Sequence, residues 1–146
     1  MATPQQLQLL APLSGVLIPM DQVPDPVFAN RVIGDGLCID PTSSALCAPL
    51  AGVISNVQAS GHAVSITGDH GVQVLLHIGL DTVNLGGQGF TRLVEEGQRV
   101  AAGETLIEFD ADYIALHARS LMTLMLLVSG EPFTWTAAQT GLVETG

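Results

Sequence analysis

The chain has 146 residues, enough for one domain with a sizeable core, and 47% of them are apolar while only 12% are charged. Its formal net charge is −10, it has no lysine, and its only cations are Arg31, Arg92, Arg99 and Arg119. The basic footprint that nucleic acid or an anionic membrane requires is therefore missing, and a basic protein surface is the better-matched partner.

The opening, MATPQQLQLL, has neither the positive start nor the long apolar stretch of a secretory leader. The longest apolar run, Leu124 to Val128 with Leu121 and Met122 before it, cannot span a bilayer. The expectation is a single cytoplasmic domain over residues 1–146 that does not itself cross a membrane. Short runs rich in Val, Ile and Leu then follow in order: GVLIPM, VIGDGLCI, GVISNV, HAVSIT, VQVLLHI, ETLIEF and LMTLMLLV. Gly (16) and Pro (8) punctuate them. This alternation predicts an all-β, antiparallel sandwich or barrel with at most one or two short helices. The one helical segment is Asp110 to Arg119, with an Asp start and an Arg near its end. His117 there and His70 in a loop read as solvated. Cys38 and Cys47 form no C-x-x-C pair and read as reduced core fillers.

An internal echo marks the first half. Ala11-Pro12-Leu13-Ser14-Gly15-Val16 recurs as Ala48-Pro49-Leu50-Ala51-Gly52-Val53, each copy leading into a strand, which predicts a duplicated β motif. Later, Gly97 and Gly103 bracket an apolar position in EEGQRVAAGETL, a cadence of successive β-turns.

The chemistry concentrates between Gly61 and Val83. HAVSIT and VQVLLHI flank a Gly68-Asp69-His70-Gly71 loop, and a four-residue loop sets His62 directly opposite His77. Opposed residues have Cβ atoms about 4.5–5.5 Å apart on one face, so the two imidazoles can share a phosphoryl group or a metal. A slip of one residue puts them on opposite faces. In this register Val64, Ile66 and Leu75 share the histidine face and form an apolar docking patch. After His77 the chain runs Ile78-Gly79-Leu80-Asp81-Thr82, where Gly permits close backbone approach and a carboxylate follows.

These residues bear on three chemistries. The A-P-x-x-G-V opening and the EGQRVAAGETL run are similar to biotinyl and lipoyl carrier domains, but those attach their cofactor to lysine, which this chain lacks. His77-x-x-x-Asp81 is similar to the spacing in lysostaphin-type zinc peptidases, yet the H-x-H pair that completes their ligand set is absent. Phosphoryl carriage on histidine needs only what is present: neutral imidazole is nucleophilic near pH 7, and a neighbouring imidazole can steady the phosphoryl oxygens.

Over nearly its whole length the chain resembles the glucose-type IIA component of the bacterial phosphoenolpyruvate:sugar phosphotransferase system. The matching pieces are Ala11 to Gly15, Gln22 to Ala29, Gly34-Asp35-Gly36, His62-Ala63, His77 to Leu85, Gly89-Phe90 and Glu96 to Val100. The resemblance implies that His77 accepts a phosphoryl group from the phosphohistidine of HPr, itself charged by enzyme I, and passes it to a cysteine of a IIB domain. It further implies that His62 steadies the group, and that Ser60, where the family has threonine, orients His62. Asp25, Val27, Phe28 and Asp81 are placed by it at the docking surface, with Leu75; Gln58 and Leu75 stand where aromatics are frequent. No cofactor is required, and zinc on His62 and His77 is implied only where a partner adds a carboxylate. The family ordinarily continues with a further strand after a G-x-V-x-x-G turn, matched here by Gly141 to Gly146, so the expectation is a domain excised from a longer IIA–HPr–enzyme I chain.

Overall fold

Every strand among the described residues pairs antiparallel with its neighbours in two sheets. The computed structural model describes residues 9–19, 22–25, 35–68, 72–127 and 141–143. Its strands are β1 (Gly15–Ile18), β2 (Asp35–Pro41), β3 (Ala45–Cys47), β4 (Gly52–Val57), β5 (Ala63–Gly68) and β6 (Gln73–His77). They continue with β7 (Phe90–Arg92), β8 (Arg99–Val100), β9 (Thr105–Phe109), β10 (Thr123–Leu127) and β11 (Gly141–Val143). The larger sheet has the order β11-β1-β2-β10-β6-β5-β4-β8, and the smaller is β3-β9-β7. One helix, α1 (Ala111–His117), separates β9 from β10. Asp110 caps it by accepting from the Tyr113 N–H at 3.1 Å, which satisfies an amide that the first turn leaves without a helical partner.

Period-two burial explains why these runs are strands. Val64, Ile66, Val74, Leu76 and Met125 point inward, joined across the two sheets by Leu46, Leu106, Ile107 and Phe109 in one core. Several are fully excluded from solvent, and each such Leu or Ile contributes about 1.5–3 kcal/mol relative to exposure. The opposite face of the large sheet carries a smaller cluster of Val23, Cys38, Leu80, Leu124 and Leu126, with Leu75 packed against it. That second cluster forms the floor beneath the site.

The echoed hexapeptides sit in equivalent settings. Gly15 and Gly52 each begin a strand where a side chain would overlap a neighbouring carbonyl, that of Asp40 at 2.2 Å and that of Thr67 at 2.3 Å. Val16 and Val53 are equally exposed, and the copies clasp each other through Cys47 N–H to Pro12 O (2.7 Å) and Leu10 N–H to Pro49 O (2.8 Å).

Three expectations need correcting. The β5–β6 register pairs Ala63, not His62, with His77, because Gly68 belongs to β5 and donates its N–H to Val72 O, which sets Thr67 opposite Gln73 and shifts every pair by one residue. Val64 and Ile66 consequently face the main core at 1% and 0% exposure, while Leu75 stays on the histidine side. Gly141–Val143, read as part of a turn, is a strand paired with β1. Both cysteines are free and buried; burial, with Asp40 nearby, pushes the Cys38 thiol up to about 12. His117 is exposed, and His70 lies outside the described residues.

Candidate active site

His77 is the last residue of β6, flanked by Ala63 of β5 and Leu124 of β10. His62 is not in a strand; it occupies the bend that leads into β5, next to Gly61, whose φ of +78° turns the chain. From there its carbonyl accepts the Ile78 N–H at 2.8 Å, so a main-chain bond ties the two histidine-bearing segments together. The rings meet edge to face with centroids 5.1 Å apart and planes inclined by 78°. The histidines come together as expected, but diagonally, one position beyond the strand pairing.

Each ring is held at Nδ1. That of His77 lies 2.8 Å from the Gly79 carbonyl oxygen. A carbonyl only accepts, so His77 Nδ1 carries the proton and Nε2 the lone pair. The Nδ1 of His62 bonds the Ser60 hydroxyl, at the position where the resemblance put an orienting residue. Gly79 reaches back to His77 because its φ is +73°, and a side chain there would collide with Ser120 O at 2.7 Å and the Thr82 methyl at 2.5 Å.

Both rings favour the neutral state. Burial, followed by the neighbouring His77, lowers His62 from 6.5 to about 4. Burial also lowers His77, partly offset by the Gly79 hydrogen bond and the charges of Asp25 and Asp81. His62 is 6% exposed and His77 is half-buried, so His77 is the ring more open to a partner.

The histidines open into a shallow cavity of about 380 Å³ lined by Asp25, Gln58, Ala63, Leu75, Asp81 and Thr82 besides themselves. Three of the residues assigned to docking, Asp25, Leu75 and Asp81, thus gather here. Val27 and Phe28 lie outside the described residues. A second depression, about 440 Å³, is lined by Ser44, Thr91, Glu108 and Asp110 among others and holds no histidine. Among the described residues no group of three or more His, Cys, Asp or Glu side chains is gathered to hold a metal ion; His62 and His77 are two imidazoles, and a zinc site built on them needs further ligands. Nothing in this arrangement favours the peptidase alternative.

Residues 7–133 match the family described as phosphoenolpyruvate-dependent sugar phosphotransferase system, EIIA 1. The chain belongs to that family. As an EIIA it is a phosphoryl carrier of the sugar phosphotransferase system. Its fold is also similar to the solved structure of glucose permease IIA from Mycoplasma capricolum, with a TM-score of 0.92 and 37% identity over 96% of this chain and 91% of that one. No helix among the described residues of this EIIA is long and apolar enough to cross a membrane.

Three features of this EIIA site were not assigned from the sequence. Arg119 approaches Asp81 with Nη1 3.9 Å from Oδ2. The Gly79 carbonyl is the partner of His77; the glycine was noted, but no pattern announces which oxygen a ring will find. Thr82 lines the cavity, and its spacing of four from Ile78 across a glycine-containing turn is the one signal that points to it.

Proposed function

We propose that His77 Nε2 accepts the phosphoryl group from the phosphohistidine of HPr and donates it to a cysteine of a IIB domain during sugar uptake, with enzyme I supplying HPr. The observation that carries this reading is the Nδ1–H bond to Gly79 O, which leaves Nε2 as the nucleophilic atom in a cavity shared with a second imidazole. In the transfer the N–P bond of the donor breaks as the Nε2–P bond forms. No proton need leave His77: Nδ1 keeps its hydrogen, and the ring's gain of positive charge is balanced by Gly79 O, Asp25 and Asp81, the same groups that favour its protonation.

His62 takes the supporting role. In this reading the Ser60 hydroxyl donates to Nδ1, which places the His62 proton on Nε2, where it is offered to a phosphoryl oxygen. Asp25 and Asp81, beside the half-buried Leu75, form an acidic rim with an apolar centre, suited to a partner whose own surface is basic. No cofactor enters these steps. The test is to supply labelled phosphoenolpyruvate, enzyme I and HPr and to map the modified residue. An acid-labile, base-stable phosphate on His77 is the expected result; a His77→Ala variant that is labelled and passes phosphate on at an undiminished rate would overturn the assignment.

A further inference from the structure

The turn after β6 has an unusual backbone for a stretch that must hold still. Gly79 and Asp81 both have left-handed φ, +73° and +59°, and Asp81 has a side chain. Such conformations persist where the surroundings over-determine them. Three hydrogen bonds do so here: Ile78 N–H to His62 O at 2.8 Å, Leu80 N–H to Ser120 O at 2.9 Å, and Thr82 Oγ1–H to Ile78 O at 2.6 Å. The first two are main chain to main chain. The third is the side-chain member of the set.

Thr82 is fully buried although it lines the cavity, and its hydroxyl proton goes to Ile78 O. Its hydroxyl is thus committed to the turn and is not offered to an incoming phosphoryl group. Its methyl occupies the space that a Gly79 side chain would fill, 2.5 Å from that position. The peptide that bears the Gly79 carbonyl is held at its other end by the Leu80 N–H bond to Ser120, and the preceding carbonyl is held by Thr82. The hydroxyl bond is the side-chain contact that fixes the direction in which Gly79 O points.

We propose that Thr82 is a positioning residue for phosphoryl transfer, clamping the Ile78–Asp81 turn so that Gly79 O keeps the His77 proton on Nδ1 and Nε2 free to attack. This rests on the reading of His77 as acceptor. Loss of the clamp lets the carbonyl swing away and the ring populate the other tautomer, which places a hydrogen on the attacking atom. Binding of HPr, which meets the rim, is left unchanged.

The test compares Thr82→Val, which keeps the shape and removes the hydroxyl, with Thr82→Ser, which keeps the hydroxyl. Nitrogen-15 NMR of the imidazoles reads the tautomer directly, without phosphate. For T82V the expected result is a mixture of His77 tautomers and a rate constant for phosphoryl acceptance lower by about tenfold, the equivalent of one hydrogen bond, with KM for phospho-HPr unchanged. For T82S a single Nδ1–H tautomer and a rate within about twofold of the parent are expected, within one modest interaction energy. A T82V protein with an unchanged tautomer and rate overturns the proposal. So does a mixture of tautomers in T82S, a result that stands even if T82V does not fold. Label on a residue other than His77 in the parent chain refutes the acceptor assignment instead, while the tautomer measurement still judges Thr82 by itself.

Discussion

In the proposed transfer the position of one proton on His77 decides the chemistry. Gly79 O keeps it on Nδ1, and the unshared pair is left at Nε2. His77→Gln is expected to take up no phosphate from phospho-HPr in a gel-shift assay. His62→Gln is expected to be labelled still, but with a rate constant lower by about 10²–10³, the usual consequence of removing one pre-aimed donor from a transferring group. The two rings also leave a signature in stability. His62 has a folded pKa of about 4 against 6.5 in the unfolded chain, so between those values the unfolded state binds more protons. The stability that neutral His62 contributes is complete above about pH 6.5 and is lost as pH falls toward about 4. Melting temperatures measured from pH 7 to pH 4 are expected to decline less steeply for His62→Gln than for the parent; parallel curves would refute this.

The β5–β6 hairpin and the turn after it are where local structure becomes function. Gly79→Ala is expected to lose about 1–2 kcal/mol for a left-handed residue and about 1–3 kcal/mol for overlap with Ser120 O and Thr82, measured by urea unfolding. It should also release His77 from its carbonyl partner. This region shows how far the chain could be read in advance. The strand character of both runs, the proximity of His62 and His77, and the carboxylate of Asp81 were legible from residue types and spacing, whereas Ser60 and Asp25 came only with the family resemblance. The register was not: whether Gly68 ends a strand or starts a turn is settled by its bond to Val72, which composition does not encode. The one-residue error moved Val64 and Ile66 from a supposed docking patch into the core. Helix α1 was located to within two residues because Asp110 is a strong cap. β3, β7 and β8, with two or three residues each, were missed because strands that short carry no readable alternation.

For the molecule as a whole, charge and sheet topology have separate consequences. A net charge of −10, with Asp25 and Asp81 lining the site, suits long-range attraction of the basic partner proposed above. The rate of association with HPr is expected to fall as salt rises, and Asp81→Asn is expected to flatten that dependence in stopped-flow measurements; equal slopes would remove Asp81 from the docking surface. The all-β class followed from the Gly and Pro punctuation, whereas the division into a large and a small sheet depended on long-range pairings with no local mark. Those pairings bear on solubility. An apolar chain without a single lysine has few of the charged gatekeepers that stop one sheet from zipping onto another, yet among the described residues each rim of the large sheet is short, β11 with three residues and β8 with two. Brevity stands in for charge: cutting the chain after residue 140 bares the flank of β1, with its exposed Val16, and light scattering should then report self-association that the intact chain resists.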